Sequence, residues 1–425
     1  IIVTGQGSTG DVTIKNDADA VVFQVPTGTT GVDFKGNIFT STSGADNFRA
    51  GEGAGDSIAS GGDRNVVIGK NAGTALTTGD SNVAIGWEAL KTEDAHANNV
   101  AIGHAALTTQ NAGADAYNVA IGYNAGTAIT TGIQNTLIGA LAGDALTDAD
   151  YNVAIGISAL SADTQGSRSV AIGRLALGNQ NFTSATDSHN TAIGYSAGQG
   201  LTTGTHNILI GNDSGASLTT GANNVLMGYA AGDSITTGTN NTLIGSIAGD
   251  ALTVGVRNVA LGYSALGADT QGSKSVAIGP FALVNQNFTS ATDVYNVAVG
   301  YDAGVSVTTA VNNTLIGGLS GDALTTGSNN TTLGKGSLSA MTTGNSNVAI
   351  GINALTSDTL GARNIAIGVG SLETQNFTSA TNVFNNAVGY SAGTAITTGI
   401  KNNLFGGNAG LALTDADFNT ALGHS

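Results

Sequence analysis

Four carboxylates that recur in register with a repeat are the first residues in this sequence that could do chemistry. They are Asp144, Asp233, Asp250 and Asp322. Two carboxylates can serve as the acid and base of glycoside hydrolysis, but aspartates that return with each repeat are typical of turns. We interpret them as turn residues. The alternative is a polysaccharide-cleaving spike whose carboxylates lie across a chain boundary.

The remaining chemistry-bearing residue types give no catalytic pattern. The five histidines show no metal-binding spacing: His96, His104, His189, His206 and His424. The sequence contains no phosphate loop, zinc motif or nucleophile elbow, and it has no cysteine for disulfide or thiolate chemistry. We therefore predict a non-enzymatic protein with no catalytic residue, no cofactor and no metal.

Binding is a more promising role for a set of aromatic residues that each follow a recurring glycine. Tyrosine and tryptophan offer flat apolar area with a polar group, which suits sugars. The alternative is that these side chains cover neighbouring repeats. The candidate receptor contacts of this set are Trp87, Tyr123, Tyr195 and Tyr301.

The elements that must position these residues are repeats built around Asn-Val-Ala-Ile-Gly. The closing residue, which we call the anchor glycine, returns 21 times from Gly69 to Gly423, in steps of 17 residues except for one of 19 and three of 21. Such regularity is the signature of stacked units that share a core. The sequence therefore predicts a solenoid, and each repeat is called a coil below.

Side chains on both faces of each predicted strand are apolar. The residues one and three places before the anchor glycine share one face, as in Ile85, Ile138 and Ile244, and the residue between them points to the other. A strand that is apolar on both faces needs a second layer. We expect this second face, which carries Leu137, Leu209, Leu226 and Leu243, to be buried by partner chains in a homo-oligomer.

The residues at two further sets of places in the repeat have structural interpretations. The residue four places before the anchor glycine is asparagine in 19 of 21 coils, which predicts a hydrogen-bonded ladder along the axis. After the glycine, one kind of coil has glycine at the fourth place and an aliphatic residue at the seventh. The other kind has leucine at the fourth place and a polar residue at the seventh. This exchange predicts a nearly constant core volume in each coil.

The longer steps insert loops that contain Phe182, Phe288 and Phe377, and a shorter loop precedes Tyr117. Loops on a rigid scaffold often carry function, so we treat these four residues as candidate receptor contacts. The alternative is that each phenylalanine folds back and fills a gap beside the preceding coil.

Charge and hydropathy exclude two classes of partner. The formal net charge is −16 and lysine and arginine occur singly, which argues against nucleic acid and anionic membrane surfaces. No apolar run approaches the ~18 residues of a membrane helix. We predict neither nucleic-acid binding nor membrane insertion.

The first 60 residues lack the repeat. They contain short β-rich stretches near Val12, Val21 and Val32. We predict a segment over 1–60 that caps or attaches the shaft to other virion or surface proteins, followed by a repeat shaft over 61–425.

The motif also carries a family resemblance. Asn-Val-Ala-Ile-Gly followed by Tyr-x-Ala-Gly or x-Ala-Leu, with Thr-Thr-Gly turns, resembles the left-handed β-roll heads of trimeric autotransporter adhesins. It resembles more closely the repeats of phage tail fibre proteins that end in an endosialidase-type chaperone. The resemblance covers about 65–425. It implies a homotrimer with three rolls side by side. The sequence departs from both families because it contains neither a membrane anchor with its coiled coil nor a chaperone domain, and a chaperone removed by self-cleavage would fit this departure.

Together these features predict an all-β parallel β-roll or β-solenoid of about twenty 17-residue coils in a homotrimeric fibre, on the order of 100 Å long. The predicted function is attachment of a phage tail fibre, on the virion surface, to a host glycan or protein. A bacterial surface adhesin is the first alternative, and a depolymerising tailspike is the second.

Overall fold

The computed structural model describes residues 42–424 and three strands that precede them, at 12–15, 21–25 and 33–34. These parts of the chain are all-β and contain no helix. The three early strands form an antiparallel sheet in the order β1-β2-β3. Short strands in this region were predicted. Their proposed attachment role remains a prediction.

The strands, numbered in chain order, are β1 Val12–Lys15, β2 Val21–Val25, β3 Asp33–Phe34, β4 Phe48–Ala50, β5 Val66–Ile68, β6 Val83–Ile85, β7 Val100–Ile102, β8 Val119–Ile121, β9 Thr136–Ile138, β10 Val153–Ile155, β11 Gly166–Ser167, β12 Val170–Ile172, β13 Thr186–Asp187, β14 Thr191–Ile193, β15 Ile208–Ile210, β16 Val225–Met227, β17 Thr242–Ile244, β18 Val259–Leu261, β19 Gly272–Ser273, β20 Val276–Ile278, β21 Thr292–Asp293, β22 Val297–Val299, β23 Thr314–Ile316, β24 Thr331–Leu333, β25 Val348–Ile350, β26 Gly361–Ala362, β27 Ile365–Ile367, β28 Thr381–Asn382, β29 Asn386–Val388, β30 Asn403–Phe405 and β31 Thr420–Leu422.

One parallel sheet runs through the repeats, because each three-residue strand pairs with the equivalent strand of the next coil. In the pair β6–β7, Val83, Ala84 and Ile85 lie opposite Val100, Ala101 and Ile102. The same unshifted register continues from β4 to β31 and gives about 22 coils. At ~4.8 Å per strand the stack is about 100 Å long. The predicted parallel β-solenoid is confirmed.

The solenoid begins earlier than the predicted boundary at residue 61. Strand β4 pairs in register with β5, and Gly51 has the positive φ of an anchor glycine, 127°. Asn47 already belongs to the asparagine ladder, because its Oδ1 accepts a hydrogen bond from the backbone N–H of Asn65 at 2.8 Å. The first coil escaped the sequence search because Arg49 stands at the usual alanine position and the step to the next coil is 18 residues.

The prediction about which strand face needs a partner chain was wrong. Leu137, Leu209, Leu226 and Leu243 are completely buried inside the single chain. The residues on either side of them point outward and are half-buried or exposed, for example Ile208 at 40% exposure. Both faces are apolar in sequence, so the alternating pattern alone does not say which one faces the core.

Two kinds of coil share the core volume as the sequence predicted, and the structure shows how. A Cβ on Gly198, four places after its anchor glycine, would lie 2.4 Å from Cδ1 of Leu209 in the next coil and 3.1 Å from Cδ2 of Leu177 in the coil before. In leucine-type coils a side chain such as Leu177 fills this space itself. Mid-strand leucines accordingly occur only where their own coil and the preceding coil both have glycine at the fourth place.

The predicted asparagine ladder is confirmed. The Oδ1 of Asn207 accepts hydrogen bonds from the backbone N–H and the Nδ2 of Asn224, both at 3.1 Å. Nδ2 of Asn224 also donates to the carbonyl oxygen of Gly238 at 2.9 Å. These buried amides connect each strand to the turn that closes the coil, so they satisfy backbone groups that would otherwise be left unpaired.

Candidate functional site

The anchor glycine sets the position of the surface residue that follows it. Gly86 has φ 138°, and a Cβ at this residue would lie 2.3 Å from the carbonyl oxygen of Gly103. Only glycine fits both the dihedral angle and the close approach. Since anchor glycines stack coil on coil, the residues after them form one line along the solenoid, which we call the aromatic row.

The aromatic row contains four of the predicted receptor contacts, and all four are exposed. The exposed fractions are 43% for Trp87, 53% for Tyr123, 48% for Tyr195 and 56% for Tyr301. The row also contains exposed Tyr229, Tyr263 and Tyr390. The structure thus presents these side chains at the surface of the single chain.

Rings in neighbouring coils of this row form two clusters. Trp87 stacks on His104 with ring centroids 4.5 Å apart, and His104 stacks on Tyr123 at 5.0 Å. In the second cluster, Phe281 makes edge contacts with Tyr263 at 5.3 Å and Tyr301 at 6.2 Å. Each cluster is thus a continuous group of rings over three coils, and in the first cluster the rings cover one another's faces.

Phe281 was missed by the sequence analysis. Pro280 occupies the position directly after the anchor glycine, and the ring stands one residue later. The ring nevertheless reaches both neighbouring tyrosines. The only available signal was that the proline is followed at once by an aromatic residue.

The predicted contacts in the long loops are corrected by the structure, because Phe182, Phe288 and Phe377 are buried. Phe182 covers the backbone of Gly166, where a Cβ would lie 2.8 Å from its ring. The phenylalanine rings therefore fill gaps beside the preceding coil, which was the alternative explanation. Asn181, Thr183, Ser184 and Ala185 are exposed in the first loop.

Tyr117 is exposed, at 53%, but it belongs to a different line of residues. It lies five places before its anchor glycine, at a turn where φ is positive, 53°. We call the residues at this place in each coil the turn row. The structure therefore divides the eight predicted contacts among the aromatic row, the turn row and the buried loop phenylalanines.

Each of the four recurring aspartates lies in a turn, at the same place in its own coil, as expected. Burial raises the pKa of Asp144, Asp250 and Asp322. Burial also raises the pKa of Asp233, and the negative charges of Asp213 and Asp250 raise it further. Stacking in successive coils thus disfavours ionisation.

A second set of carboxylates is buried with glutamine partners in leucine-type coils. Asp163 accepts a hydrogen bond from Nε2 of Gln180 at 2.6 Å and from the backbone N–H groups of Gly166 and Phe182, both at 3.0 Å. The pairs Asp269–Gln286 and Asp358–Gln375 repeat this contact at 2.6 Å. These carboxylates are satisfied within the core and fix the start of each long loop.

One cluster has the ligand types that a metal ion requires. The side-chain ligand atoms of Glu93, Asp94 and His96 lie within 4.8 Å of one another, although the histidine spacing gave no metal pattern. Oε1 of buried Glu93 accepts from Nδ1 of His96 at 2.9 Å, and its Oε2 accepts from Nε2 of Gln110 at 3.1 Å. The carboxylate is thus fully hydrogen-bonded by protein groups.

A shallow cavity lies beside the third long loop. Its lining includes Asn345, Thr381 and Asn382 but no ionisable side chain, so it offers hydrogen-bonding groups without an acid or base. No helix in the described part of the chain is long and apolar enough to cross a membrane.

The fold and these surfaces define a parallel β-solenoid repeat protein with exposed rows of side chains. Comparison with protein-family models, curated proteins and solved structures finds no match for this chain.

Proposed function

We propose that this protein is a non-enzymatic structural and attachment fibre, specifically a phage tail fibre on the virion surface that binds a host-cell glycan or protein. The observation that carries the proposal is the aromatic row, an exposed line of rings on an unbroken stack of about 22 coils. A long rigid shaft that repeats a weak contact suits attachment, because linked sites raise the effective concentration of each other.

The outward face of the main sheet supports assembly of the fibre as a homotrimer. Each strand presents two outward residues, most of them valine, isoleucine or threonine. Ile208, Leu261 and Leu333 are 40%, 44% and 49% exposed in the single chain. A continuous apolar stripe of this length is larger than monomers usually leave in water. Copies of the same chain are the partner that would cover it along its full length.

Receptor contact is assigned to the cluster of Trp87, His104 and Tyr123, where three rings stack without a gap. The stacked rings turn their faces to one another, so we expect a sugar to contact their outward edges. The three early strands are assigned to attachment of the shaft to other virion proteins.

The proposal is tested by binding of the labelled protein to a panel of intact bacterial strains. Trp87→Ala combined with Tyr123→Ala should weaken binding to a positive strain about tenfold or more, as loss of central aromatic contacts does. The matched control is Asn212→Ala combined with Ser246→Ala, which changes two non-aromatic members of the same row. Equal binding by the two variants, or no bound strain, would contradict receptor contact. Release of sugar from the bound strain's polysaccharide would instead establish a depolymerase.

A further inference from the structure

The turn row has a composition that its backbone conformation does not explain. The 21 members from Arg64 to Phe418 have φ between 50° and 66°, and Asp46 in the first coil has φ 55°, a left-handed conformation that costs an L-residue about 1 kcal/mol or more. Glycine would avoid this cost, yet no coil has glycine there. Long cationic and aromatic side chains occupy 13 of the 21 places. Their side chains must therefore contribute something that the turn itself does not need.

Basic residues that are scattered in sequence are collected in this row. The region 42–424 contains eleven lysines and arginines, and six of them are members of the row. Two histidines also belong to it, and their rings are 5.1 Å apart. The basic members are Arg64, Arg168, Arg257, Lys274, Arg363, Lys401, His189 and His206.

Aromatic members stand next to the cations and hold them in place. Arg168 lies 5.0 Å from the ring centroid of Tyr151, and Lys274 lies 4.9 Å from that of Tyr295. Towards the end of the row, Arg363 lies 5.5 Å from the ring of Phe384, and Lys401 lies 4.8 Å from that of Phe418. Rings and cations are thus presented together at the surface, with the cations ordered by cation–π attraction.

The positive charges are compensated in one part of the row and not in another. Arg168 pairs with Asp187 at 2.9 Å and Lys274 with Asp293 at 2.7 Å. The corresponding position of the third long loop is Asn382, and in the described part of the chain Arg363 has no ion pair. Arg257 and Lys401 also have none there. The C-terminal half of the row therefore holds three cations that pair with no described carboxylate, Arg257, Arg363 and Lys401, beside the paired Lys274.

We infer that the C-terminal half of the turn row, from Arg257 to Phe418, is a binding site for an acidic polysaccharide whose sugars carry carboxylates. This inference deepens the attachment function proposed above and rests on it, since it names a ligand class and a second binding row. Arginine and lysine bind carboxylates by charge-assisted hydrogen bonds, and the rings beside them add apolar surface for a sugar.

Geometry favours an extended polymer over a compact anion. The coil spacing of ~4.8 Å is close to the length of one extended hexose, so successive sugars meet successive coils. The net charge of −16 gives no long-range attraction for a polyanion. At physiological salt, however, charges act over only about 8 Å, so the row acts locally.

The test uses alginate, a polymer of uronic acids, with uncharged dextran as its comparison. The full chain should bind alginate and not dextran in a calorimetric titration, and rising sodium chloride should weaken the binding. Replacing Arg257, Arg363 and Lys401 with glutamine together should weaken it at least about tenfold, as loss of charge-assisted hydrogen bonds does. Retention of the parent's β-type circular dichroism establishes that the variant is folded.

The matched control removes three positive charges outside the C-terminal half of the turn row, by glutamine substitution of Arg64, Lys91 and Arg168, each of which is already paired with a carboxylate. It should bind alginate within about twofold of the parent, because these cations lie elsewhere on the surface. Equal loss in the two variants, equal binding of dextran, or absence of alginate binding by the parent would overturn the inference. Attachment to cells by a protein that does not bind alginate would overturn it while leaving the attachment function intact. Alginate binding without attachment to any bacterial strain would contradict the attachment function while leaving the acidic-polysaccharide site intact.

Discussion

At the scale of single residues, the anchor glycines have the strictest requirement. Gly228 combines φ 136° with an approach in which a Cβ would lie 2.5 Å from the carbonyl oxygen of Gly245. That oxygen belongs to the backbone of the next coil and cannot rotate away. Each coil thus depends on a residue with no side chain at this point.

Gly228→Ala should therefore lower the thermal unfolding midpoint clearly, with a cost of about 2 kcal/mol or more from dihedral strain and backbone clash. Gly113→Ala is the control, because Gly113 also has a positive φ, 72°, but no atom within 4 Å of its Cβ position. It should cost less, since only the dihedral strain remains. Equal shifts measured by differential scanning calorimetry would show that the close approach is unimportant.

The asparagine ladder and the anchor glycines could be predicted from the sequence because each residue type has one physical reason to recur at its place. Whether the mid-strand residue points into the core or outward could not be predicted from the sequence. In Val225-Leu226-Met227 all three side chains are apolar, so a period of two gives two faces without saying which is inside. The glycine at the fourth place opens space for Leu226 but does not set the direction, because mid-strand Ala84 in a leucine-type coil is equally buried.

At the scale of the coil, glycine and leucine positions are coupled across neighbouring repeats. Gly198→Ala should destabilise the protein because its Cβ would meet Leu209 at 2.4 Å. Leu209→Ala alone should cost about 2–5 kcal/mol through a core cavity. Together the two changes should cost less than their sum by about 1 kcal/mol, since the cavity admits the new methyl group.

Chemical denaturation of the four proteins of this double-mutant cycle measures the coupling. The control cycle pairs Gly198→Ala with Leu243→Ala, which lies two coils beyond Leu209 and does not touch the glycine's Cβ position. In that control cycle, the two changes in the free energy of unfolding should be additive. Additivity in both cycles would refute the shared core volume.

The buried aspartate–glutamine pairs give a pH prediction. Burial raises the pKa of Asp163 and Asp358 above the ordinary value of 3.8, so their ionised forms oppose folding at neutral pH. Their contribution to stability should therefore increase as pH falls from 7 through the raised pKa, and level off below 3.8. In Asp163→Asn/Asp358→Asn, the midpoint of thermal unfolding should gain less from acidification than in the parent.

Asp148→Asn is the control for this comparison, because Asp148 is exposed. Its pH profile should follow the parent's profile. If the thermal unfolding midpoint of the double variant depends on pH as steeply as that of the parent, the buried aspartates are not the cause of the pH dependence.

The long loops show which features of the coil could be predicted from the sequence and which could not. Their positions after leucine-type coils could be predicted from spacing alone. The fate of Phe182 could not, because a phenylalanine in a polar loop can serve equally as an anchor or as a contact. The structure resolves this through Asp163, which accepts the backbone N–H of Phe182 and draws the loop back onto the coil.

At the scale of the whole molecule, the reversed strand face changes which residues can control assembly. Ile208→Asp combined with Leu261→Asp changes outward residues and should convert the proposed trimer to folded monomers, measured by analytical ultracentrifugation and circular dichroism. Leu209→Asp should instead disrupt the coils, because it places a charge in the core. A parent protein that sediments as a monomer at micromolar concentration would contradict the trimer.

The unshifted register between all neighbouring coils has a consequence for inheritance. Near-identical stretches encode strands that already fit one another, so unequal crossing-over within the gene would join two compatible coils. Whole repeats can then be gained or lost, provided that a mid-strand leucine such as Leu226 does not come to follow a leucine-type coil. Every such event would change the reach of the molecule in steps of ~4.8 Å while both surface rows stay aligned, which makes length a trait that selection can adjust separately from recognition.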